Sequence, residues 1–164
     1  MRIIGIDPGT AITGYSVLNV EKVGYSENIS VITSGSIQTS NRQTDEQRLL
    51  EIHQDLCMLV EKFKPEIASV EKLFFFKNLK TVMPVAQARG VILMTLAKYD
   101  VRVFEYTPLV IKKTITGFGL APKEQVREFC GLMLAPEIMP KLDDATDAIA
   151  IALCHIKQTD FACL

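Results

Sequence analysis

Long apolar runs, paired cysteines and a marked net charge are all missing from this 164-residue sequence. Without the roughly 20 consecutive apolar residues that a membrane-spanning helix needs, no membrane partner is expected. The N-terminus enters an apolar strand at once, with none of the basic and apolar regions of a secretory signal, so a cytoplasmic location is expected. The four cysteines, Cys57, Cys130, Cys154 and Cys163, are scattered and form no Cys-x-x-Cys pair, which excludes a zinc ribbon and a disulfide framework. They read as reduced, small apolar fillers. Cys163 stands second from the end rather than fourth, so a prenylation box is excluded too. A chain of 164 residues suits one domain, spanning 1–164, with a core that needs no staples.

The net charge of −1 taken alone speaks against a nucleic-acid partner. The charges, however, are unevenly spread. Between Lys72 and Glu128 stand ten lysines and arginines (Lys72, Lys77, Lys80, Arg89, Lys98, Arg102, Lys112, Lys113, Lys123 and Arg127) against four acids, Asp100, Glu105, Glu124 and Glu128. A basic tract of this kind can hold phosphates while acids elsewhere hold metal. The plainer reading is a solvated face whose lysines confer solubility.

What is present begins with Ile3-Ile4-Gly5-Ile6, a buried strand that delivers Asp7 into a Pro8-Gly9 turn. A carboxylate beside a core strand is costly unless paired, hydrogen-bonded or metal-bound, although Asp7 could also cap its own turn. Gly14–Val20 and Asn28–Ile37 read as two more strands of an antiparallel meander, separated by polar Glu21–Glu27. Leu49, Ile52, Leu56, Leu59, Val60 and Phe63 then recur at helical spacing behind a capping box, Thr44-Asp45-Glu46-Gln47, and Pro65 stops that helix. Ile67–Val70 forms a strand that ends on Glu71. If the two strands are parallel neighbours joined by the helical crossover, Asp7 and Glu71 lie side by side at the edge where open sheets place ligands.

Three aromatics, Phe74, Phe75 and Phe76, follow Glu71 and cannot all face one core; next to lysines such rings stack on or wedge between bases. Asn78–Tyr99 reads as a second long helix, apolar on a wide face, so one side is a candidate contact between two copies of the chain. Pro84 inside it predicts a kink or a start near that residue. Val101–Tyr106 alternates as a strand, Thr107-Pro108 opens a short helix through Lys113, and Gly117-Phe118-Gly119 ends it. Pro122 starts a helix with Val126, Phe129, Cys130 and Met133 inward. In the last helix Asp144 and Asp147 lie within about 60° of each other on the stripe of Ala148, Ile151 and His155. Asp143 projects away and suits a cap or solvent, and His155 suits packing rather than ligation.

Asp7, Glu71, Asp144 and Asp147 thus form a candidate set of oxygen donors without His or Cys, which suits magnesium or manganese. Two such ions can activate water and stabilise a leaving oxygen at a phosphodiester. The chain resembles the RuvC family of crossover (Holliday) junction endodeoxyribonucleases over nearly its full length. The matching stretches are Gly5-Ile6-Asp7-Pro8-Gly9-Thr10 with Thr13-Gly14, Val70-Glu71-Lys72-Leu73-Phe74-Phe75 with Lys77-Asn78, Gln87-Ala88-Arg89-Gly90-Val91, Phe104-Glu105-Tyr106, and Asp144-Ala145-Thr146-Asp147-Ala148-Ile149-Ala150.

The resemblance implies an α/β, RNase H-like fold with a five-stranded mixed sheet flanked by helices on both faces. It implies a homodimer that resolves four-way junction DNA by two symmetric incisions, and that works with a branch-migration helicase. It implies two Mg²⁺ per active site, replaceable by Mn²⁺, with Asp7, Glu71, Asp144 and Asp147 as metal ligands. Phe74 matches the family's base-contacting aromatic. Lys112 and Lys123 match lysines that contact DNA or stabilise charge near the scissile phosphate, and Phe75, Lys77 and Lys113 beside these positions complete the expected DNA-binding set. Pro84 and Ala86 depart from the commoner residues of their helix. The opening stretch also resembles the phosphate hairpin of actin-like and sugar-kinase ATPases, but those need a second such hairpin, which this chain lacks. The same acids would also serve a related RNase H-like nuclease acting on another branched or RNA-containing substrate, and the basic tract alone would serve a non-catalytic junction-binding module.

Overall fold

A computed structural model describes residues 1–23, 26–73, 79–134, 139–140 and 143–160. The strands are β1 (Arg2–Asp7), β2 (Ile12–Val23), β3 (Ser26–Gln38), β4 (Ile67–Glu71) and β5 (Arg102–Tyr106). The helices are α1 (Asp45–Phe63), α2 (Leu79–Lys98), α3 (Pro108–Thr116), α4 (Lys123–Leu134) and α5 (Asp143–Asp160). The strands form one sheet in the order β3-β2-β1-β4-β5, antiparallel from β3 to β1 and parallel from β1 to β5.

β1 is the centre of this sheet because its apolar residues serve both faces. Successive side chains of a strand point to opposite sides. Ile3 joins Leu18, Ile67 and the inner residues of α3, α4 and α5 on one face. Ile4 and Ile6 join Val17, Ala68, Val70 and the inner residues of α1 and α2 on the other. The capping box of α1 is made as the spacing predicts: Thr44 and Gln47 each bond the other's backbone. Thr107 caps α3 by accepting the Val110 N–H, and Gly117 ends that helix at φ 79°.

Two expectations change. The polar segment after Val20 does not separate the strands; β2 continues to Val23 and β3 begins at Ser26, paired as far as Val23↔Ser26 with one register shift between Val17 and Leu18. A backbone ladder can carry polar residues that burial would not, so hydrophobic alternation underestimates the hairpin's length. α2 runs over Leu79–Lys98, as the reading of a helix over Asn78–Tyr99 has it, with Pro84 inside; only the alternative of a start near Pro84 falls. The missing N–H of Pro84 leaves the carbonyl of residue 80 without its usual partner, at one position near the helix's first turns.

The seating of α5 matters most for the site. Gly5 pairs with Ser16 of β2 and Ser69 of β4, so three small residues lie abreast across the middle of the sheet. A Cβ on Gly5 would collide with the Ala148 carbonyl oxygen and lie 2.9 Å from the Ala152 Cβ. On either side, Ser16 Oγ donates to Ala148 O at 2.8 Å and Ser69 Oγ donates to Ile151 O at 2.7 Å. A Cβ on Gly14 would likewise collide with the Asp144 carbonyl oxygen. α5 is therefore held at backbone distance from β1 and β2, with its first turn at the carboxyl end of β1. His155, on its last turns, is buried, with Nδ1 2.8 Å from the Tyr106 hydroxyl. Among the described residues no helix is long and apolar enough to cross a membrane.

Candidate active site

Asp7 and Glu71 end two parallel neighbouring strands whose last paired residues are Ile6 and Val70. The register sets them side by side, close enough for each carboxyl group to act on the other. Burial raises the pKa of both. Glu71 is pushed up to about 8, by desolvation first and then by the charge of Asp7 and the hydrogen bond to it. Asp7 is raised by desolvation, opposed in part by the bond to Glu71 and by the Lys123 charge. Such a pair shares one proton because two adjacent buried carboxylates repel.

Asp147 comes to the same place from α5, and Lys123, the first residue of α4, donates to its Oδ2 from Nζ at 2.6 Å. That bond raises the Lys123 pKa. Asp7, Glu71, Asp147, Lys112 and Lys123 line one cleft of about 250 Å³, walled by apolar side chains that include Ile111 and Val126. Asp144, one turn before Asp147, is half-buried and close enough for its charge to act on Asp7, but it does not line the cleft. Asp143 is exposed and lines a neighbouring groove with Lys123 and Arg127. Lys113 is exposed and off the cleft wall. Phe74, Phe75 and Lys77, like Cys163, lie outside the described residues.

The donor set fits a hard divalent cation in chemistry: oxygen donors only, two of them half-buried and side by side, a third already paired with a cationic group. Among the described residues no group of three or more His, Cys, Asp or Glu side chains is arranged as a finished metal shell. As the side chains stand, the Lys123 ammonium on Asp147 balances part of the negative charge that a cation would balance.

The Thr13 hydroxyl caps the turn after β1 by donating to Gly9 O at 2.6 Å. The Thr10 hydroxyl is buried without a hydrogen-bond partner. Sequence reasoning did not find Ser16, Ser69 or Gly5 as the seat of α5. The signal is their smallness, and it becomes readable only once the register aligns them.

A five-stranded mixed sheet with helices on both faces, carrying acids at the carboxyl ends of β1 and β4 and on the helix packed over them, defines the RNase H-like nuclease class. Comparison with known proteins then gives the family. The model of the family "Crossover junction endodeoxyribonuclease RuvC" matches residues 3–155. A relative of that name from Petrotoga mobilis is 46% identical over 155 residues, which cover 94% of this chain and 93% of the relative. One from Finegoldia magna is 43% identical over 161 residues, covering 98% and 96%. The solved structure of Thermus thermophilus RuvC matches with a TM-score of 0.89 and 29% identity over 99% of this chain and 97% of that one. The same protein solved with a Holliday junction substrate matches with TM-score 0.89 and 28% identity, over 99% and 96%. The chain belongs to the RuvC family of crossover junction endodeoxyribonucleases and is a hydrolase.

Proposed function

We propose that the protein resolves four-way DNA junctions by symmetric paired hydrolysis of phosphodiester bonds, in recombination and repair of cytoplasmic DNA. The observation that carries this reading is the meeting of Asp7 and Glu71 with the Asp147–Lys123 pair in one cleft. Asp7, Glu71, Asp144 and Asp147 would hold two Mg²⁺, or Mn²⁺ in their place; bound there, the ions supply an activated water and charge stabilisation at the scissile phosphate. The residues of the chain do the rest. Lys123, with its side chain largely exposed beside Asp147, brings a mobile ammonium to the phosphate. Lys112, half-buried on the cleft wall, adds a second positive charge, and the apolar wall lowers the local dielectric and strengthens both.

Phe74, Phe75, Lys77 and Lys113 belong to the same DNA footprint, on the family match. Two incisions need two sites, which a homodimer of this single domain provides. The exposed face of α2, with Met83, Met94 and an open space beside Gly90, is the candidate contact. A branch-migration helicase is the expected further partner.

A synthetic four-way junction with mapped incision sites tests the reading. Asp7→Asn and Glu71→Gln should each lose cleavage in Mg²⁺ by about 10²- to 10³-fold, the order of what removal of a central charge-stabilising group costs, while junction binding persists. Retained turnover in either variant would sink the assignment.

A further inference from the structure

The loop between α3 and α4 presents apolar side chains to water where packing does not require them. Leu109, Phe118 and Leu120 are 53%, 57% and 75% exposed. Leu109 meets the loop at Gly119, the residue between the other two: a Cβ on Gly119 would lie 3.0 Å from Leu109 Cγ and 3.3 Å from its carbonyl oxygen. The loop thus folds back over the first turn of α3, beside Pro108, which walls the cleft, and the chain re-enters the cleft at Lys123. Leu109, Phe118 and Leu120 do not line the cleft itself; Leu109 follows its wall residue Pro108, and Phe118 and Leu120 stand on the segment that joins its wall residues Lys112 and Lys123, so that the three make an outer rim beside it.

The rim is rigid. The Phe118 N–H donates to Thr116 Oγ1 at 3.1 Å, and the Phe118 carbonyl accepts from Thr116 Oγ1 at 3.0 Å and from the Ala121 N–H at 3.1 Å. Gly117, at φ 79°, turns the chain into this loop, and its N–H donates to Lys113 O at 2.9 Å. An aromatic ring on a fixed backbone has two side-chain torsions to immobilise and little entropy to lose on binding. The surroundings select the partner. Residues 107–123 contain three lysines and no acid, so a second copy of the chain docking here would set lysines against lysines, whereas a polyanion is complementary.

We propose that this rim is a base-contacting edge of the DNA site, in which Phe118 stacks on a nucleobase of the strand whose phosphates Lys112 and Lys123 hold. Leu109 and Leu120 flank the stacked base and exclude water from it. The assignment rests on the junction-cleaving reading above and adds a contact from the α3–α4 side of the cleft, remote in sequence from Phe74. Aromatic side chains that stack on bases are sequence-tolerant, because every base presents a π-face.

The test uses the full-length protein and four-way junctions carrying 2-aminopurine singly at positions near the mapped incision, with Ca²⁺ replacing Mg²⁺ to keep strands intact. Wild type should change the fluorescence at one or two positions. Phe118→Ala should lose that signal and bind about 5- to 150-fold more weakly, the range that one stacked base supports. Phe118→Tyr, which keeps the ring, should restore both. Because Phe118 is exposed, Phe118→Ala should melt with the wild type. A Phe118→Ala protein that keeps the wild-type signal and affinity overturns the proposal, and so does one whose oligomeric state changes in the absence of DNA. In both cases the wild type still binds junctions; a wild type that bound none would overturn the functional reading as well.

Discussion

Glu71 and Asp7 meet as two carboxyls sheltered from bulk water, and each makes ionisation of the other harder. The ordinary pKa of a glutamate is 4.5, and in the folded chain Glu71 is pushed up to about 8. Between those values the folded state holds a proton that the unfolded chain releases, so without metal the pair's contribution to stability falls as pH rises. Glu71→Gln fixes the neutral form. In EDTA the variant should melt several degrees above wild type at pH 8, the difference should shrink towards pH 5, and saturating Mg²⁺ should stabilise wild type more than the variant. A wild type at least as stable as Glu71→Gln at pH 8 in EDTA would rule out the shared proton. Both acids were legible in the sequence because strand ends and an intervening helix can be read from apolar periodicity. Asp147 was legible through helical angles, and the same angles placed Asp144 on the inner stripe, where it is half-buried but beyond the cleft lining. Lys123 was not readable from spacing. Its bond to Asp147 joins residues 24 apart on different helices, and only the family resemblance pointed to it.

α5 carries two of the four acids, and what fixes it in place is the sheet beneath it. The row Ser16, Gly5, Ser69 lets a helix backbone approach a strand backbone and gives it two hydroxyl donors. Gly5→Ala inserts a methyl where the Ala148 carbonyl and the Ala152 side chain already stand. It should cost more than the 1–3 kcal/mol typical of overpacking a core, read as a fall in the denaturation midpoint, because the obstruction is backbone. Ser16→Ala and Ser69→Ala each remove one buried hydrogen bond at about 1 kcal/mol. Their cleavage rates should fall by more than their stability does, since the helix can then shift relative to Asp7. A Gly5→Ala protein with wild-type stability would mean that α5 is not seated there. At this scale the sequence showed that each element exists and left unread how they touch. Small residues inside strands read as weak strand formers until the register shows three of them abreast. The reach of the β2–β3 hairpin escaped for a related reason, since ladder bonds override local preference.

At the scale of the whole molecule, a net charge of −1 and a proposed polyanionic substrate must be reconciled. Charge is segregated by element. Asp7 of β1, Glu71 of β4 and Asp147 of α5 converge in the cleft, while α3 and the start of α4 bring Lys112 and Lys123 to its wall, with Lys113 exposed beside it. DNA therefore meets local positive charge, and each phosphate neutralised releases condensed counterions, so that log K falls with log salt at a slope of about −0.9 per contact on duplex arms. Junction affinity, measured by anisotropy in Ca²⁺ between 50 and 200 mM salt, should fall steeply despite the near-zero net charge. Lys112→Ala and Lys123→Ala should each flatten the slope by about one phosphate contact. Phe118→Ala should lower affinity at every salt concentration and leave the slope unchanged, because stacking releases no ions. A flat response in the wild type would mean that the molecule's average charge, and not its arrangement, governs binding. A Lys112→Ala or Lys123→Ala protein with an unchanged slope would move the phosphate footprint off the cleft wall and onto the segments that follow Glu71.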